Sequence, residues 1–506
     1  MTKLNEFYVA RWVLILAALG LSPLALNWLA PPDLNFEADV LLQAIISTQK
    51  VPLFYWGQDR FLNFYPLILS WIKDIKLNLL AHMVLMGAAY FLFLELISET
   101  CAKLFRPDKQ GSFRAIMFCV LVLVSLIVLG RGGLFLFAYA AQPYSTSFLF
   151  LSWAVTLLLE RENVAADFLI ITLLILVSIG LNPSILIAAL GITVSIFIFD
   201  RRLKLIVFAV LAIGIFSFWS YVSSANALGV HHYNDAYSVF EPGLLLTGLK
   251  ASILQFPDAN GRWTGLGLLI AAFVIGLMVR APKPSLRASI YLGLLGAFAV
   301  AWWVIFSTNQ WVSMNHFAAR YYYPSIMVVL IVISLRSTQL IQKLPEKGQT
   351  VVSLILFGVI LGTLIKPMAL PSGDADIAFD NVDTAFDNVD KYIAANRASI
   401  VAGGYLQVWP AVFRLNSAPP RAGVDKPIYG ATYRGIVMRP EMDSRIASDL
   451  RVRMTTKAVC IGASVDGCLD ELQANTSFSW LLVEKGDCLD QCYLLEPLST
   501  FSPRVN

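Results

Sequence analysis

Long apolar segments separated by short polar connections make up the first 369 residues of the chain. The apolar runs are roughly 16 to 22 residues long, close to the length at which a helix crosses a hydrocarbon core of about 30 Å. They are continuous rather than alternating, so the pattern predicts helices and not the strands of a barrel. Eleven membrane-spanning helices are predicted, near residues 8–29, 77–100, 115–130, 146–160, 167–181, 184–199, 205–222, 263–279, 288–307, 321–335 and 350–368.

The charge of the connecting loops predicts which side of the membrane each loop faces. With a cytoplasmic N-terminus, every short cytoplasmic loop carries at least one Lys or Arg, as the positive-inside rule requires. An odd number of spans then places the C-terminus on the non-cytoplasmic side. The basic residues of the five loops are Lys103, Arg106, Lys109 and Arg114; Arg161; Arg201, Arg202 and Lys204; Arg280, Lys283 and Arg287; and Arg336, Lys343 and Lys347.

The stretch 167–199 decides this count, because it is too long for one span and contains Asn182-Pro183-Ser184. We predict two short helices that meet at a non-cytoplasmic turn. The alternative is a single kinked and tilted helix. A single helix would move every later loop to the opposite side of the membrane. The basic loops would then no longer all face the cytoplasm.

The composition agrees with a membrane protein. Of the 506 residues, 57% are apolar and 14% are charged, and the mean hydropathy is +0.67. Soluble domains carry about 25% charged residues, so a soluble fold could not hide this much apolar surface. A nucleic-acid partner is not expected, because the basic residues lie in short cytoplasmic loops and form no basic face in the C-terminal region.

The composition changes sharply after Ala369. Residues 1–368 hold 25 basic and 17 acidic residues, whereas residues 369–506 hold 13 basic and 17 acidic ones. We therefore predict a mostly α polytopic membrane domain over 1–368, with outer-loop helices within 30–76 and 223–262. A separate extracytoplasmic domain follows it.

The C-terminal domain is predicted to be α/β. Short apolar runs at Ser399–Ala402, Ala458–Ile461 and Trp480–Val483 indicate buried strands. Polar stretches near 441–451 and 466–474 indicate helices between them. This alternation is typical of a small layered α/β fold.

Four of the six cysteines lie in this domain: Cys460, Cys468, Cys488 and Cys492. An even set in an oxidising compartment predicts two disulfides, although the spacing does not say which cysteines pair. The Cys488-x3-Cys492 spacing could also hold zinc, but only two thiols lie close together and the domain has no histidine. No metal site is predicted.

The first long outer loop carries three carboxylates within seven residues, Asp33, Glu37 and Asp39, before a predicted amphipathic helix. A carboxylate at the membrane surface, under a protein roof, can accept a proton from a hydroxyl nucleophile. Alternatively, these acids only solvate a loop. Glu37 and Asp39 are the candidate catalytic residues, and Asp59 and Arg60 are candidate substrate-binding residues in the same loop.

Two later outer loops carry residues that could bind a phosphate. Side chains of adjacent residues diverge, so one of His231 and His232 bonding a phosphate or the loop backbone is favoured over a two-histidine metal site. Arg320 stands at the outer end of a predicted span, where it either snorkels to the surface or faces a cavity and binds a lipid phosphate or pyrophosphate. Its neighbours Asn315, His316 and Tyr321 are further candidate substrate-binding residues.

Several of these features occur in a common order. An acidic first outer loop and a short amphipathic helix are followed by Pro-Leu-Phe-Tyr-Trp-Gly-Gln at 52–58, a long multi-span region and Asn-x4-Arg-Tyr-x2-Pro at 315–324. The order resembles that of bacterial GT-C glycosyltransferases, polytopic enzymes that use polyprenyl-phosphate-linked sugars. The tail segment Gly403–Phe413 is also similar to the extracytoplasmic part of some of these proteins. The resemblance spans most of the chain and implies a membrane core with outer-loop helices in a crevice below the soluble domain.

The resemblance also implies a reaction. A sugar would pass from a polyprenyl-phosphate donor in the bilayer to an extracytoplasmic acceptor, a cell-envelope glycan, lipid or protein, with inversion at the anomeric carbon. Glu37 takes the place of the family's acidic residue and Phe36 stands where a second acid often stands, so Glu37 and Asp39 compete for the role of base. Arg320, with one of the two adjacent histidines, would hold the phosphate.

The same resemblance bears on cofactors and location. The lipid phosphate leaves as an already charged group, so no cofactor is required; a divalent metal is possible but not indicated. The implied location is the bacterial inner (cytoplasmic) membrane, with the C-terminal domain periplasmic or extracellular.

Two other functions fit the same architecture. A transporter also has many spans and an aqueous crevice, but the sequence has no inverted-repeat pattern and few charged residues inside the spans. A noncatalytic membrane scaffold would use the C-terminal domain to bind a partner.

Overall fold

The computed structural model of the chain describes residues 2–29, 38–56, 58–105, 110–139, 144–160, 164–197, 202–225, 239–254, 286–317, 319–365, 387–417, 427–432, 435–451, 456–486 and 492–498. The chain divides into two compact units. The first comprises Met1–Leu29, Arg60–Leu62 and Met83–Pro367. The second groups part of the first outer loop with the C-terminal region, and comprises Ala30–Asp59, Asn63–His82 and Met368–Asn506.

Helices dominate the described part of residues 1–365. They are α1 (Thr2–Leu29), α2 (Ala38–Gln49), α3 (Phe64–Leu69), α4 (Ile75–Phe105), α5 (Gln110–Leu134), α6 (Tyr144–Glu160), α7 (Val164–Leu181), α8 (Ile185–Ile196), α9 (Arg202–Ala225), α10 (Leu245–Leu254), α11 (Leu286–Ser307), α12 (Gln310–Met314), α13 (Tyr323–Ile341) and α14 (Glu346–Ile365). Helices α2 and α3 belong to the second unit, and the others lie wholly or mainly in the first.

Ten of the eleven segments predicted to span the membrane are confirmed as helices. Six of the described helices are long and apolar enough to cross a membrane: α4, α5, α9, α11, α13 and α14. Shorter apolar helices occur within α1, α6, α7 and α8. The remaining predicted span, 263–279, lies outside the described residues. The chain is an integral membrane protein with a mostly helical fold.

The stretch 167–199 forms two helices, as predicted. The chain breaks at Pro183, which has no N–H for a helical hydrogen bond. The hydroxyl of Ser147, near the start of α6, donates to the carbonyl oxygen of Ser178, near the end of α7, at 2.5 Å. Further along α6, Ser152 lines a cavity with Ile192 of α8. Helix α8 therefore runs in the direction of α6, opposite to α7, and the kinked single helix is excluded.

Helices α4 and α5 are joined by buried charges. The Arg114 guanidinium contacts Glu95 and, at 2.5 Å, Glu99, and all three side chains are 1–2% exposed. Lys103, one turn after Glu99, reaches the same carboxylate at 2.5 Å. The two buried carboxylates are thus paired with two cations, Arg114 and Lys103. Such a pairing is needed because an unpaired buried charge is strongly destabilising.

The second unit contains a five-stranded sheet. The strands of the whole chain, in order, are β1 (Phe54–Tyr55), β2 (Gln58–Leu62), β3 (Ile400–Gly403), β4 (Tyr429–Ala431), β5 (Ala458–Ile461), β6 (Trp480–Gly486) and β7 (Cys492–Pro497). Residues Arg60–Leu62 of β2 belong to the first unit. The sheet has the order β4-β3-β5-β7-β6, and β1 and β2 form a separate pair. Strand β3 is parallel to β4 and β5, whereas β7 is antiparallel to both of its neighbours. The helices of this part are α15 (387–396), α16 (Tyr405–Ser417), α17 (Arg439–Arg451) and α18 (Val465–Asn475).

The predicted α/β class of the C-terminal region is confirmed, with its three strands and two helices. The prediction that Trp480–Val483 is a buried strand is wrong in its burial: β6 is an edge strand, and Leu481, Leu482 and Val483 are exposed.

Strands β4 and β7 and helix α16 were not predicted. Strand β4 is three residues long with Gly430 at its centre, and α16 contains Pro410, residues that disfavour a strand and a helix respectively. Glycine is needed at position 430 because a Cβ there would come within 2.5 Å of the Trp409 ring.

One of the predicted disulfides joins Cys460, in β5, to Cys468, in α18. It ties a central strand to the helix that follows it. Cys492 of β7 is also disulfide-bonded, and Cys488 lies outside the described residues.

The buried Arg114 predicts a large loss of stability on substitution. Arg114→Met removes the cation that contacts both Glu95 and Glu99, so we expect the free energy of unfolding to fall by about 3–5 kcal/mol. Thermal unfolding of the detergent-solubilised protein measures this. Lys347→Met, an exposed cation in α14, is the matched control and should leave the midpoint nearly unchanged; equal midpoints for both variants would contradict the prediction.

Glu471 in α18 predicts a pH-dependent stability. Burial, and to a lesser extent the neighbouring Asp470, raise the pKa of its carboxyl to about 7. The folded state therefore holds this proton more tightly than the unfolded state does. The resulting stability is complete below the unfolded pKa and is lost as the pH rises through the folded pKa near 7.

Glu471→Gln should therefore reduce the fall in the unfolding midpoint between pH 5 and pH 8. Thermal unfolding at several pH values within this window measures the effect. Glu484→Gln, on the exposed strand β6, serves as the control. A pH dependence identical in all three proteins would refute the assignment.

Candidate functional site

The first outer loop contains α2, the helix that carries Asp39. Nine of its twelve residues are buried, including Val40, Leu41, Ile45 and Ile46. Its apolar residues extend round most of the helix, so several partners are needed to cover it. Within the second unit, α3 and α16 pack against it.

Asp39 lies in the first turn of α2 and is partly exposed. The hydroxyl of Tyr405, the first residue of α16, hydrogen-bonds to its carboxylate. The hydroxyl of Tyr55 donates to the main-chain carbonyl oxygen of Asp39 at 2.9 Å. Negative charge is favoured at a helix N-terminus, so both the helix and the tyrosine hydroxyl stabilise an ionised carboxylate at this position.

Three aromatic rings connect this acid to the C-terminal domain. Tyr405 meets Trp409 edge-on at 6.4 Å between ring centroids, and Trp409 contacts Trp56 at 5.9 Å. Both indoles are fully buried. The Trp56 N–H donates to the carbonyl oxygen of Lys50 at 3.1 Å. Aromatic pairs of this kind contribute beyond their buried area, so this part of the loop is firmly packed.

The other end of α2 is also attached to the C-terminal region. The Gln49 amide donates to the carbonyl oxygen of Ile428, and the Lys50 ammonium to that of Val437, each at 3.1 Å. Lys50 also pairs with Glu441 at 2.8 Å. Both partners of this ion pair are about one-third exposed, so it adds at most about 1 kcal/mol.

A buried polar group lies on another side of α2. Gln43 contacts the ring of His82 at 3.0 Å, and Ser47 accepts a hydrogen bond from the Asn78 amide at 2.9 Å. Ser47 in turn donates to the carbonyl oxygen of Pro66 at 3.1 Å. These contacts join α2 to the start of α4. His82 was not among the predicted site residues, because it lies inside an apolar segment with no motif around it.

The structure describes only some of the remaining candidate residues of the outer loops. Asp59 and Arg60 lie in strand β2. Glu37, His231 and His232 lie outside the described residues. Tyr405 was not predicted, although the two glycines before it mark the end of a strand and the start of a helix.

In the first unit, Arg320 and Tyr321 lie in a 3-10 helix, Ala319–Tyr322. The Asn315 amide donates to the carbonyl oxygen of Trp311 at 2.9 Å. His316 is exposed and has a positive φ of 53°, which places it at a sharp turn. The structure therefore brings Asn315, His316, Arg320 and Tyr321 into one compact turn before α13.

Tyr321 is held from two sides. The Trp302 indole donates to its carbonyl oxygen at 2.9 Å and the Trp311 indole to its hydroxyl at 3.0 Å. Its ring lies nearly parallel to Phe306 at 6.4 Å. This bonding orients the segment that carries Arg320.

A cavity of about 150 Å³ opens beside Tyr321, at the break between α7 and α8. Its walls combine aromatic rings with two buried amide side chains and include no ionised side chain. The lining residues are Tyr144, Asn182, Ser184, Ile187, Phe240, Ile305, Phe306, Asn309, Trp311, Val312 and Tyr321. Aromatic faces with a few polar groups suit a small polar ligand that has apolar faces, such as a sugar ring.

Among the described residues, no group of three or more His, Cys, Asp or Glu side chains could hold a metal ion. Asp39 is hydrogen-bonded by the hydroxyls of Tyr405 and Tyr55. The cavity beside Tyr321 is lined by amide side chains and aromatic rings. The side chains around Asp39 and around the cavity can form hydrogen bonds and stack against a ligand.

One solved structure is similar to this chain over almost its entire length. It is ArnT from Cupriavidus metallidurans bound to undecaprenyl phosphate, at 13% sequence identity and a TM-score of 0.49, covering 97% of this chain and 99% of that one. No protein-family model matches the chain, and no curated protein matches it.

The packing of the aromatic rings predicts how firmly the first outer loop is held. Trp56→Ala removes a fully buried indole and should lower the free energy of unfolding by about 3–5 kcal/mol. Hydrogen exchange of the α2 amides should accelerate, because the substitution removes the indole that hydrogen-bonds to the Lys50 carbonyl oxygen, directly after the end of α2.

Trp71→Ala is the matched control, since Trp71 belongs to the same unit and is 75% exposed. It should change the free energy of unfolding by less than about 0.5 kcal/mol. Equal effects of the two substitutions would show that Trp56 does not stabilise the loop.

Proposed function

We propose that this chain is a membrane glycosyltransferase that transfers a sugar from a polyprenyl-phosphate donor to an extracytoplasmic acceptor. The acceptor class is a cell-envelope glycan, lipid or protein. The motifs at 52–58 and 315–324 supply the reaction class through their resemblance to GT-C enzymes.

The observation that carries the proposal is the position of Asp39. It lies in the first outer loop, in the first turn of a buried helix, and its partly exposed carboxylate is hydrogen-bonded by Tyr405. A catalytic carboxylate must be both fixed and reachable, because proton transfer needs hydrogen-bond contact with the acceptor. Glu37, two residues earlier, is the competing candidate for the same role.

The turn before α13 supports a donor site in the first unit. Arg320 provides a permanent positive charge, and guanidinium groups suit phosphate oxygens. The adjoining cavity has aromatic walls and the amides of Asn182 and Asn309. We assign Arg320 to the lipid phosphate, with His316, Asn315 and Tyr321 as neighbours that shape the site.

The chemistry is a single displacement. A carboxylate accepts the proton of the acceptor hydroxyl, whose oxygen forms a new bond to the anomeric carbon as the bond from that carbon to the phosphate oxygen breaks. The electron pair leaves with the lipid phosphate, which Arg320 stabilises. Attack opposite the leaving group inverts the anomeric configuration.

The arrangement of the first unit supports a cytoplasmic N-terminus. Ser112 at the start of α5 contacts Gln342, just after α13, at 3.2 Å and Gln349 of α14 at 3.5 Å. The basic ends of α4, α5, α13 and α14 therefore lie at one end of this unit. Positive loops face the cytoplasm, so the opposite end of this unit would be periplasmic or extracellular. We assign the C-terminal domain to the same side of the membrane, as the odd number of predicted spans requires.

The proposal predicts sugar transfer that depends on one carboxylate and on Arg320. Membranes containing the wild-type chain, Glu37→Gln, Asp39→Asn or Arg320→Ala are given radiolabelled polyprenyl-phosphate glucose, mannose or N-acetylglucosamine. Loss of the general base should lower the rate by at least about 100-fold. Arg320→Ala should raise the KM for the donor.

Lys347→Met is the control for expression and membrane insertion. Transfer no greater than in membranes without the chain, for every donor, would contradict the proposal and favour a transporter or scaffold. Equal transfer by all four proteins would rule out both carboxylates and Arg320.

A further inference from the structure

The link between Asp39 and the C-terminal domain has a consequence for catalysis. Asp39 and Tyr405 are 366 positions apart in the chain, and the tyrosine hydroxyl hydrogen-bonds to the carboxylate. We propose that Tyr405 is a positioning residue that orients the Asp39 carboxylate, so that the C-terminal domain completes the acidic site. This inference rests on the proposed glycosyltransferase function.

The backbone before Tyr405 determines where its side chain begins. Gly403 ends β3 with a φ of +122°, and a Cβ there would come within 2.1 Å of the Ile461 carbonyl oxygen. A Cβ on Gly404 would come within 2.9 Å of the Gly462 carbonyl oxygen, which directly follows β5. Only glycine fits this close approach of two strands. Helix α16 therefore starts directly at the edge of the sheet, with Tyr405 as its first residue.

The ring of Tyr405 is then restrained from the next turn of the helix. Trp409, four residues later, lies on the same helical face and meets the ring edge-on at 6.4 Å. Trp409 is itself enclosed by Trp56 of the first outer loop and by the glycine backbone of β4. The hydroxyl of Tyr405 is thus presented by a packed cluster and not by a free side chain.

Asp39 is restrained from the opposite direction. Its main-chain carbonyl oxygen is bonded by Tyr55, and the helix behind it is buried. Its carboxylate nevertheless remains partly exposed, as does Tyr405. One tyrosine holds the backbone and the other holds the side chain. A carboxylate in this position can meet an acceptor hydroxyl in a single orientation, which is what lowers the entropic part of the barrier.

A double-mutant cycle tests this role. Tyr405→Phe removes only the hydroxyl, and should lower kcat by about 10-fold to 100-fold, the loss expected for one hydrogen bond to a charged group. The KM for the polyprenyl-phosphate sugar should not change. In the Asp39→Asn background, Tyr405→Phe should have no further effect, because its contribution passes through the carboxylate.

Tyr392→Phe is the matched control in the same domain. Its hydroxyl is buried and has no hydrogen-bond partner among the described residues, so its removal should leave kcat unchanged. Unfolding midpoints of all variants are measured in parallel. A Tyr405→Phe protein with wild-type stability and lowered kcat supports positioning rather than a loss of fold.

Three outcomes would overturn the inference, and they differ from one another. Equal fold-losses from Tyr405→Phe in the wild-type and Asp39→Asn backgrounds would make Tyr405 a structural residue only. Transfer that requires Glu37 and survives Asp39→Asn would keep the glycosyltransferase and reject the Asp39–Tyr405 pair. Absence of transfer by the wild-type protein from every donor would reject the function and this inference together.

Discussion

The second unit depends on the need to cover one apolar helix. Helix α2 is buried on nearly every side, although it lies in a loop. It begins nine positions after the last residue of α1 in the chain. Exposing apolar surface costs about 25 cal/mol per Å², so such a helix is stable only when several elements enclose it. In this chain the enclosing elements are α3, the start of α4 and, more than 350 positions later, α16. Contacts of this separation make the outer loop and the C-terminal domain a single folding unit.

The polar groups at the two ends of α2 then become points of attachment. At its first turn the Asp39 carboxylate meets Tyr405, and just after its last turn Lys50 meets Glu441. The two contacts differ in their effect. The partly exposed ion pair of Lys50 and Glu441 adds little stability, whereas the Tyr405 hydroxyl orients the Asp39 carboxylate. The Cys460–Cys468 disulfide constrains the neighbouring strand and helix, and so supports the sheet edge from which Tyr405 projects.

In the first unit a helix break serves a comparable purpose. Pro183 ends α7, and the local backbone remains satisfied because the Asn182 side chain accepts from the Ser184 N–H at 3.1 Å. Within a membrane an unpaired backbone group is costly, so irregular backbone is tolerated where it is buried in protein or lines a cavity. The cavity beside Tyr321 occurs at this break. The break that reverses the chain direction thus also leaves a cavity in the first unit.

The sequence by itself determined the local features of this protein. The apolar runs predicted the spans that the structure describes, Pro183 predicted the turn between α7 and α8, and three short apolar runs predicted β3, β5 and β6. These predictions succeed because a run of consecutive apolar residues indicates a helix or a strand locally, although the burial expected for β6 is not observed. Strand β4 and helix α16 escaped prediction, since Gly430 and Pro410 oppose local propensity and are accepted only for the packing around Trp409.

The pairing of Cys460 with Cys468 and the meeting of Asp39 with Tyr405 were decided by tertiary structure alone. The spacing of four cysteines is compatible with more than one pairing, and no periodic pattern joins residues 366 positions apart. Loop closure over such a distance costs only slightly more entropy than over a shorter one, so the partner is selected by packing and not by proximity in the chain. The candidate carboxylates could be identified from the sequence, but the orientation of Asp39 is determined by its tertiary contact with Tyr405.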